Sequence, residues 1–344
     1  MSKLATDLST VTSVGLDLAK HVFFVHAVDA AGKVVVARAL RRRELLSFFA
    51  SLPPCLVGME ACGSAHHWGR ELSALGHDVK LIPPAYVKPF VKRQKNDAND
   101  AAAIHETLSR PGLRFVKVRS IANQAVLMRH KAREMLVQQR TQLLNGLRGH
   151  MAEIGVIAAQ GTGNMRALGG LIHAGHAEIP EAVRASLMPL VTQIAHLDKA
   201  IREIDADLAA QAKADPVSNR LMTIPGIGPI TASALAATVD DPASFSGPRE
   251  FAAFLGLVPR QNSSGGKARL GRITKMGNAY LRKLLVVGAH AVLHHQARHD
   301  DPLRLWARKL LATKPFKLVA VALANKLARL AFALMSRNTR YAAV

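Results

Sequence analysis

The chain has 344 residues, 49% of them hydrophobic, which is enough for two or three domains with true cores and excludes wholesale disorder. Lys and Arg number 46 against 24 Asp and Glu, a formal net charge of +22, so the expected partner is a polyanion: nucleic acid first, an anionic membrane second. Cys55 and Cys62 are the only cysteines, which excludes a disulfide framework and a four-Cys zinc site, and the N-terminus lacks a signal-peptide pattern, so the expected location is the cytoplasm, in association with the nucleoid.

From residue 11 to about 115, strands and helices alternate. Val14 to Leu18 and Val22 to Val28 read as strands, and the second turns at Asp29-Ala30-Ala31-Gly32 into a third, Lys33 to Ala37. Arg43 to Ser51 reads as helix, Leu56 to Glu60 as a buried strand, and Ala65 to Leu75 as a helix stopped by Gly76. Val79 to Ile82 is a strand stopped by Pro83-Pro84, and Asp97 to Leu108 is a helix. An early hairpin followed by strand–helix alternation predicts an α/β domain with a mixed sheet.

Four carboxylates in this part carry the chemistry. Asp17 ends the apolar run Val14-Gly15-Leu16, and Glu60 ends Cys55-Leu56-Val57-Gly58-Met59. Asp97 and Asp100 stand three apart at a helix start, so both can face one way. Carboxylates gathered from two strand ends and one helix suit divalent metal and phosphoryl transfer. A lone strand-end Asp more often caps a helix or pairs with Arg; four at these placements in a basic chain point to a metal site. Lys20 is close enough in sequence to Asp17 to partner a phosphate or a carboxylate.

From Ser120 to Ala214 the pattern becomes helical. Leu187, Leu190, Ile194, Leu197, Ile201, Ile204 and Leu208 step by three and four in turn, a heptad seam, with Ser120 to His150 as a plausible partner helix. An antiparallel pair within one chain and a coiled coil between chains fit this pattern equally well. Gly155 to Pro180, with five glycines between Gly161 and Gly175, is too Gly-rich for a regular helix and is expected to form the connection.

The third part starts near Asp215-Pro216. Ile224-Pro225-Gly226-Ile227-Gly228-Pro229 lies between the helical stretches Val217 to Met222 and Ile230 to Thr238, a helix–hairpin–helix pattern. There Gly226 and Gly228 allow backbone approach to a phosphate, although such a turn can also be purely structural. After Glu250 stand 17 basic residues and only Asp300 and Asp301, so most of the surplus charge lies here. Arg260, Lys267, Arg269, Arg272 and Lys275 are the expected nucleic-acid contacts. They surround Gln261-Asn262-Ser263-Ser264-Gly265-Gly266-Lys267, an exposed turn that reads as a phosphate-contact loop. A serine there is a nucleophile only if something activates it, and the loop itself supplies no base. His290, His294, His295 and His299 have helical spacing, but with apolar neighbours they suit packing or DNA contact better than zinc. Trp68 and Trp306 read as core anchors. The apolar stretch Leu318 to Met335 carries Asn325, Lys326 and Arg329, which a membrane span rarely tolerates.

Together these segments resemble one known family. Gly15-Leu16-Asp17-Leu18-Ala19-Lys20, Met59-Glu60-Ala61 and Lys95-Asn96-Asp97-Ala98-Asn99-Asp100-Ala101 resemble the DEDD motif of a group of bacterial insertion-sequence transposases. The stretch Ile224 to Gly228, then Phe251 to Arg260, Ser263 to Lys267 and Gly271 to Asn278 resemble the C-terminal transposase domain of that group.

The resemblance implies an RNase H-like (RuvC-like) domain over 11–115, a helical coiled-coil region over 119–214 and a mainly α C-terminal domain over 215–344 that includes the helix–hairpin–helix. It implies a recombinase that moves its own element through a circular intermediate. Asp17, Glu60, Asp97 and Asp100 would act with Mg2+ or Mn2+, and a serine would link covalently to DNA. By position that serine is Ser264, with Ser263 as the adjacent alternative, in a composite site formed with the RuvC-like domain. The resemblance further implies a dimer or tetramer and, as in some members, a structured guide RNA, the bridge RNA. Asn96 stands where the family often has Thr. The alternative activity is that of a metal-dependent nuclease or junction resolvase that hydrolyses DNA with water. A third, non-enzymatic reading is an architectural nucleic-acid-binding protein.

Overall fold

The computed structural model describes residues 7–92, 96–159, 161–176, 179–298 and 300–342. The chain forms two compact units, residues 1–121 and 122–344.

The first unit is mixed α/β, as expected. Its elements are β1 (Val11–Asp17), β2 (Val22–Asp29), β3 (Val34–Arg41), α1 (Leu45–Ala50), β4 (Leu56–Glu60), α2 (Ala65–Ala74), β5 (Asp78–Ile82), α3 (Pro84–Val87) and α4 (Asp97–Leu108). The five strands run in the order β3-β2-β1-β4-β5. β1 pairs antiparallel with β2 and β2 with β3, while β4 runs parallel to β1 and β5 parallel to β4.

Strand side chains alternate between faces, so each face has its own cover. One face buries Val14, Leu16, Phe23, Val25, Val57 and Met59 against Leu45 and Phe49 of α1 and Trp68 and Leu72 of α2. The other face takes α4. There Gly15 of β1 is paired with Gly58 of β4. A Cβ on Gly15 would lie 2.2 Å from the Ala101 carbonyl oxygen and 2.7 Å from the His105 nitrogen, and one on Gly58 would lie 2.7 Å from Leu108 carbons. Only a glycine pair lets α4 lie this close to the sheet.

Among its described residues the second unit is helical apart from one hairpin. It contains α5 (Ile121–Ala152, whose first residue closes the first unit), α6 (Thr162–Ala174), α7 (Glu181–Ala214), α8 (Pro216–Leu221), α9 (Pro229–Thr238), α10 (Pro248–Phe254), the strands β6 (Pro259–Gln261) and β7 (Leu270–Ile273), α11 (Ala279–His294), α12 (Pro302–Leu311) and α13 (Phe316–Arg337). Of the two arrangements open to the heptad seam, this chain forms an antiparallel pair internally. Arg133 of α5 binds Asp205 of α7, with a second contact of 3.1 Å, and Arg140 binds Asp198 at 2.7 Å, seven residues further along each helix in opposite directions.

The segment 155–180 departs from expectation, because α6 is a regular helix despite its glycines. Leu168 and Ile172 bury against Leu144, Leu147 and Met151 of α5 and Leu187 and Ile194 of α7. That burial outweighs the glycine cost, about 1 kcal/mol per residue, and Gly175 ends the helix in the left-handed conformation.

The core of this unit runs from Leu221 to Met335 and includes Phe251, Leu285, Leu323 and Phe332. α13 is long and apolar enough to cross a membrane by composition, yet 56% of its most apolar window is buried within the protein. His130 of α5 is 1% exposed, with Tyr280 Oη 3.0 Å from Nδ1 and Ser233 Oγ 3.2 Å from Nε2, so it ties α5 to α9 and α11. Burial pushes its pKa down to about 4, and the neighbouring Arg133 and Arg129 act in the same direction.

Candidate active site

The glycine pair that admits α4 also sets the acidic site. Asp17 lies two residues beyond Gly15, and Glu60 two beyond Gly58, so both carboxylates rise on the α4 side of the sheet at the C-terminal ends of parallel neighbours. Asp97 precedes Ala101 by four residues and shares its helical face. Asn96 is the N-cap, and its Oδ1 accepts from the Asn99 N–H at 2.8 Å. This gives Asn96 a capping role that Thr also performs. Asp97 and Asp100 both stand in the first turn of α4.

Carboxylate oxygens of Asp17, Asp97 and Asp100 lie within 4.8 Å of one another, with Asp97 exposed and the other two half-buried. Burial pushes Asp17 up to about 6, and the charges of Asp100, Asp97 and Glu60 add to it, in that order. Glu60 stands outside the close trio, although its field reaches Asp17. Three hard oxygen donors converging under mutual repulsion are the donor set that a divalent cation relieves, so these residues fit one. Lys95, part of the same sequence motif, lies outside the described residues.

Behind the trio, Ser13 Oγ lies 2.9 Å from His105 Nε2 and the His105 ring lies 5.6 Å from that of His26. Burial lowers the pKa of both histidines. This seat for α4 was not legible from sequence, because its partners lie 92 residues apart.

Ser264 belongs to the second unit, on the β6–β7 hairpin. Gly265 and Gly266 have φ of +55° and +75°, and the Lys267 N–H donates to the Ser264 carbonyl at 3.1 Å, which makes a two-residue hairpin turn of the kind that needs positive φ twice. Every residue from Pro259 to Arg272 is exposed. The two serines differ. Ser263 Oγ accepts from the Arg269 N–H at 3.0 Å and is part of the hairpin's bonding, whereas no side-chain partner of Ser264 occurs among the described residues.

Arg260, Lys267, Arg269, Arg272 and Lys275 are all exposed along or below the hairpin. The hairpin base is interlocked. A Cβ on Gly277 would lie 1.8 Å from the Phe254 carbonyl oxygen, and the Arg282 guanidinium donates to the Leu255 and Met276 carbonyls at 2.9 and 3.0 Å. Lys275 is held at φ +56°, an uncommon conformation for a side-chain-bearing residue.

The helix–hairpin–helix turn forms between α8 and α9. Gly228 is exposed at the start of α9, open to an approaching phosphate. Gly226 has φ +87°, and a Cβ there would lie 2.7 Å from Val292 and 2.8 Å from the Gly288 carbonyl oxygen, so its small size serves packing against α11. His290 and His294 flank the Phe316 ring at 5.1 and 5.2 Å, a packing role; His295 caps α11, and His299 lies outside the described residues. Trp68 is buried in the sheet core. Trp306 is only partly buried, with the Lys326 ammonium 4.3 Å from its ring, an exposure that its sequence neighbours do not reveal.

The family described as "Transposase IS116/IS110/IS902 family" matches residues 218–304, and a DEDD transposase family of the IS110 group, described as "Transposase", matches residues 14–156. A "Probable family 20 transposase" of Pseudomonas aeruginosa is 47% identical over 96% of this chain and 98% of its own length. The chain belongs to the IS110 family of DEDD transposases. Two further relatives are the "Transposase for insertion sequence element IS1111A" of Coxiella burnetii, 39% identical over 98% of this chain and 93% of its own, and the "Transposase for insertion sequence element IS1328" of Yersinia enterocolitica, 38% identical over 96% and 99%. The protein is therefore a transposase, an enzyme acting on DNA. The acidic site falls within the matched segment 14–156 and Ser264 within the matched segment 218–304.

Proposed function

We propose that this IS110-family transposase moves its element by a serine-mediated strand exchange that also requires its carboxylate cluster, and that the sheet domain is RNase H-like. Asp17, Asp97 and Asp100, with Glu60 reaching in, are the residues that would hold a divalent cation, Mg2+ or Mn2+. A cation bound there supplies Lewis-acid stabilisation of the charge that builds on the phosphate during displacement. Ser264 Oγ gives up its proton and forms a bond to phosphorus, while one P–O bond to a deoxyribose breaks and the departing oxygen takes a proton. Rejoining reverses those bonds on a second strand. Gly265 and Gly266 keep the backbone beside Ser264 free of side chains, and Lys267, Arg269 and Arg260 offset phosphate charge.

The observation that carries the serine step is the contrast between the neighbours: the Ser263 hydroxyl is engaged by the Arg269 N–H, while the Ser264 hydroxyl stands exposed at the hairpin turn. The surplus of cations also suits a structured guide RNA as a second polyanion, and strand exchange between two duplexes suits a dimer or tetramer.

The test is a covalent trap. The protein is expressed with its element's flanking DNA, denatured rapidly and digested with nuclease, and the peptide carrying Ser263 and Ser264 is examined by mass spectrometry. A nucleotide adduct on Ser264, absent in Ser264→Ala and in Asp17→Ala, is expected. DNA cleavage that depends on Asp17 but proceeds unchanged in Ser264→Ala would replace this reading with the hydrolytic nuclease. Co-purification of a discrete RNA, lost on charge reversal of the cations, tests the guide.

A further inference from the structure

At the foot of the Ser264 hairpin the second unit opens into a groove of about 1250 Å³. Its apolar floor includes Leu257, Ile273, Trp306, Leu318 and Val321. Its cations are Arg272 and Lys275 from the hairpin side and Lys317, Lys326 and Arg329 from α13, with no carboxylate in the lining among the described residues. Small-molecule clefts run to roughly 300–1,000 Å³, so this one has the size for a stretch of polymer.

The composition narrows the polymer. Paired DNA offers a protein its phosphates and base edges that are polar apart from the thymine methyl, while the flat base faces stay stacked out of reach. Unpaired DNA offers phosphates together with flat apolar bases, and sites for it combine a cationic track with aromatic platforms. Leu318 is 56% exposed, and Trp306 and Val321 are partly exposed beside it, so apolar surface is uncovered directly beneath the cations. Burial and the nearby Arg329 hold Lys326 below the ordinary lysine range, a cost that a bound anion relieves. Asn325 donates through its Nδ2 to the Leu257 carbonyl at 3.0 Å, which fixes its amide in the groove wall.

Position selects the source. Arg272 and Ile273 belong to both the groove and β7, and Ser264 lies five residues beyond Pro259 at the groove edge, roughly 17 Å of extended chain. A strand engaged at Ser264 therefore passes the groove within a few nucleotides. We propose that this groove holds unpaired bases of the DNA strand next to the phosphate that Ser264 engages, with the exposed Leu318 and the part-exposed Trp306, whose ring the Lys326 ammonium meets at 4.3 Å, against the bases and Arg272, Lys275, Lys317 and Arg329 on its phosphates. The assignment of the strand rests on the serine reading; the groove's preference for unpaired DNA does not.

The test uses the full-length protein and a short single-stranded DNA oligonucleotide carrying 5-iododeoxyuridine, which cross-links to aromatic side chains on irradiation. The expected adduct is on Trp306, competed by unlabelled single-stranded DNA and not by the same sequence as a duplex. Leu318→Glu and Arg329→Glu change exposed positions and leave the core alone. Each is expected to weaken single-strand binding about tenfold, within the 1–3 kcal/mol that one stacked base contributes, while duplex binding changes far less.

Ser264→Ala is expected to keep the Trp306 cross-link in full even where it abolishes the serine adduct, so this assignment and the serine reading fail separately. Loss of the cross-link in Ser264→Ala would place the contact on the hairpin and overturn the proposal. So would equal competition by duplex, equal competition by RNA of the same sequence, or retention of single-strand affinity in both glutamate variants.

Discussion

If Asp17 is held in place for a cation, its charge is a burden on the protein without one. Its carboxyl is pushed from 3.8 up to about 6, first by burial and then by Asp100, Asp97 and Glu60. Between those values the folded chain keeps a proton that the unfolded chain has released. Stability therefore falls as pH rises from about 4 to about 6 and stays lowered above that. At full weight the displacement is worth about 3 kcal/mol; the group is half-exposed and screened by water, so about 1–2 kcal/mol is expected.

Asp17→Asn removes the charge at nearly constant shape. In chelator at neutral pH the variant should melt a few degrees above the wild type, and the gap should close near pH 4. With added Mg2+ the wild type should gain stability and the variant much less, while strand transfer is lost in the variant under every condition. Thermal unfolding by calorimetry across pH, with and without metal, reads all of this. A variant that is less stable than wild type in chelator, equally at every pH, would refute the reasoning and return Asp17 to a structural role.

Gly15→Ala should cost about 3 kcal/mol, because its Cβ meets backbone at 2.2 and 2.7 Å and α4 has to move; Gly58→Ala, whose nearest contacts are atoms of the Leu108 side chain, should cost about 1 kcal/mol. Mn2+ affinity, read by the resonance of the free ion, should drop more for Gly15→Ala, and the reverse order would contradict the close-approach argument. Gly226→Ala should destabilise the second unit by about 2 kcal/mol or more, while Gly228→Ala should stay within about 0.5 kcal/mol and weaken DNA binding instead; equal melting curves would sink the packing role of Gly226. His130 stays neutral in the fold down to about 4, so stability should be lost as pH falls from the ordinary histidine value of 6.5 toward 4. His130→Gln should flatten that acid limb in part, leaving the share of His66, which burial and Arg119 also push down to about 4, and of His26 and His105, which burial also lowers, and an unchanged limb would rule His130 out as a source.

The strands, and the carboxylates at their ends, were legible because each apolar run stops at an acid: Leu16 before Asp17, Met59 before Glu60. What brings those ends to α4 was not. Within an apolar run Gly15 and Gly58 look like any small residues, and their purpose exists only once the strands pair in register and a helix 39 or more residues away packs on both. The same limit hid α6, whose glycines argue locally against a helix while Leu168 and Ile172 find partners on α5 and α7. The heptad seam of α7 was plain, yet periodicity names an apolar face and not the chain that covers it; the ion pairs Arg133–Asp205 and Arg140–Asp198 supply that answer. Position in the resembled motif points to Ser264 with Ser263 as the alternative, but the physical difference between them, a Ser263 hydroxyl that bonds the Arg269 N–H, exists only in the hairpin register.

The two kinds of charge are carried apart. The acidic quartet belongs to the first unit, whereas residues after Glu250 hold 17 of the 46 basic side chains and two carboxylates. Metal dependence and salt dependence should then separate. Chelation should abolish strand transfer and leave DNA affinity nearly unchanged, because the cations that meet phosphate need no metal. Raising salt should weaken binding along a steep logarithmic line, and Arg272→Ala should lower that slope for single-stranded DNA by roughly 0.7, the share of one phosphate of an unpaired strand, without altering the metal requirement. Filter binding over a salt series, with and without chelator, measures both. DNA affinity that collapsed on chelation at constant salt would mean that the acidic cluster itself holds the DNA, and the assignment of binding to the cationic hairpin would have to be abandoned.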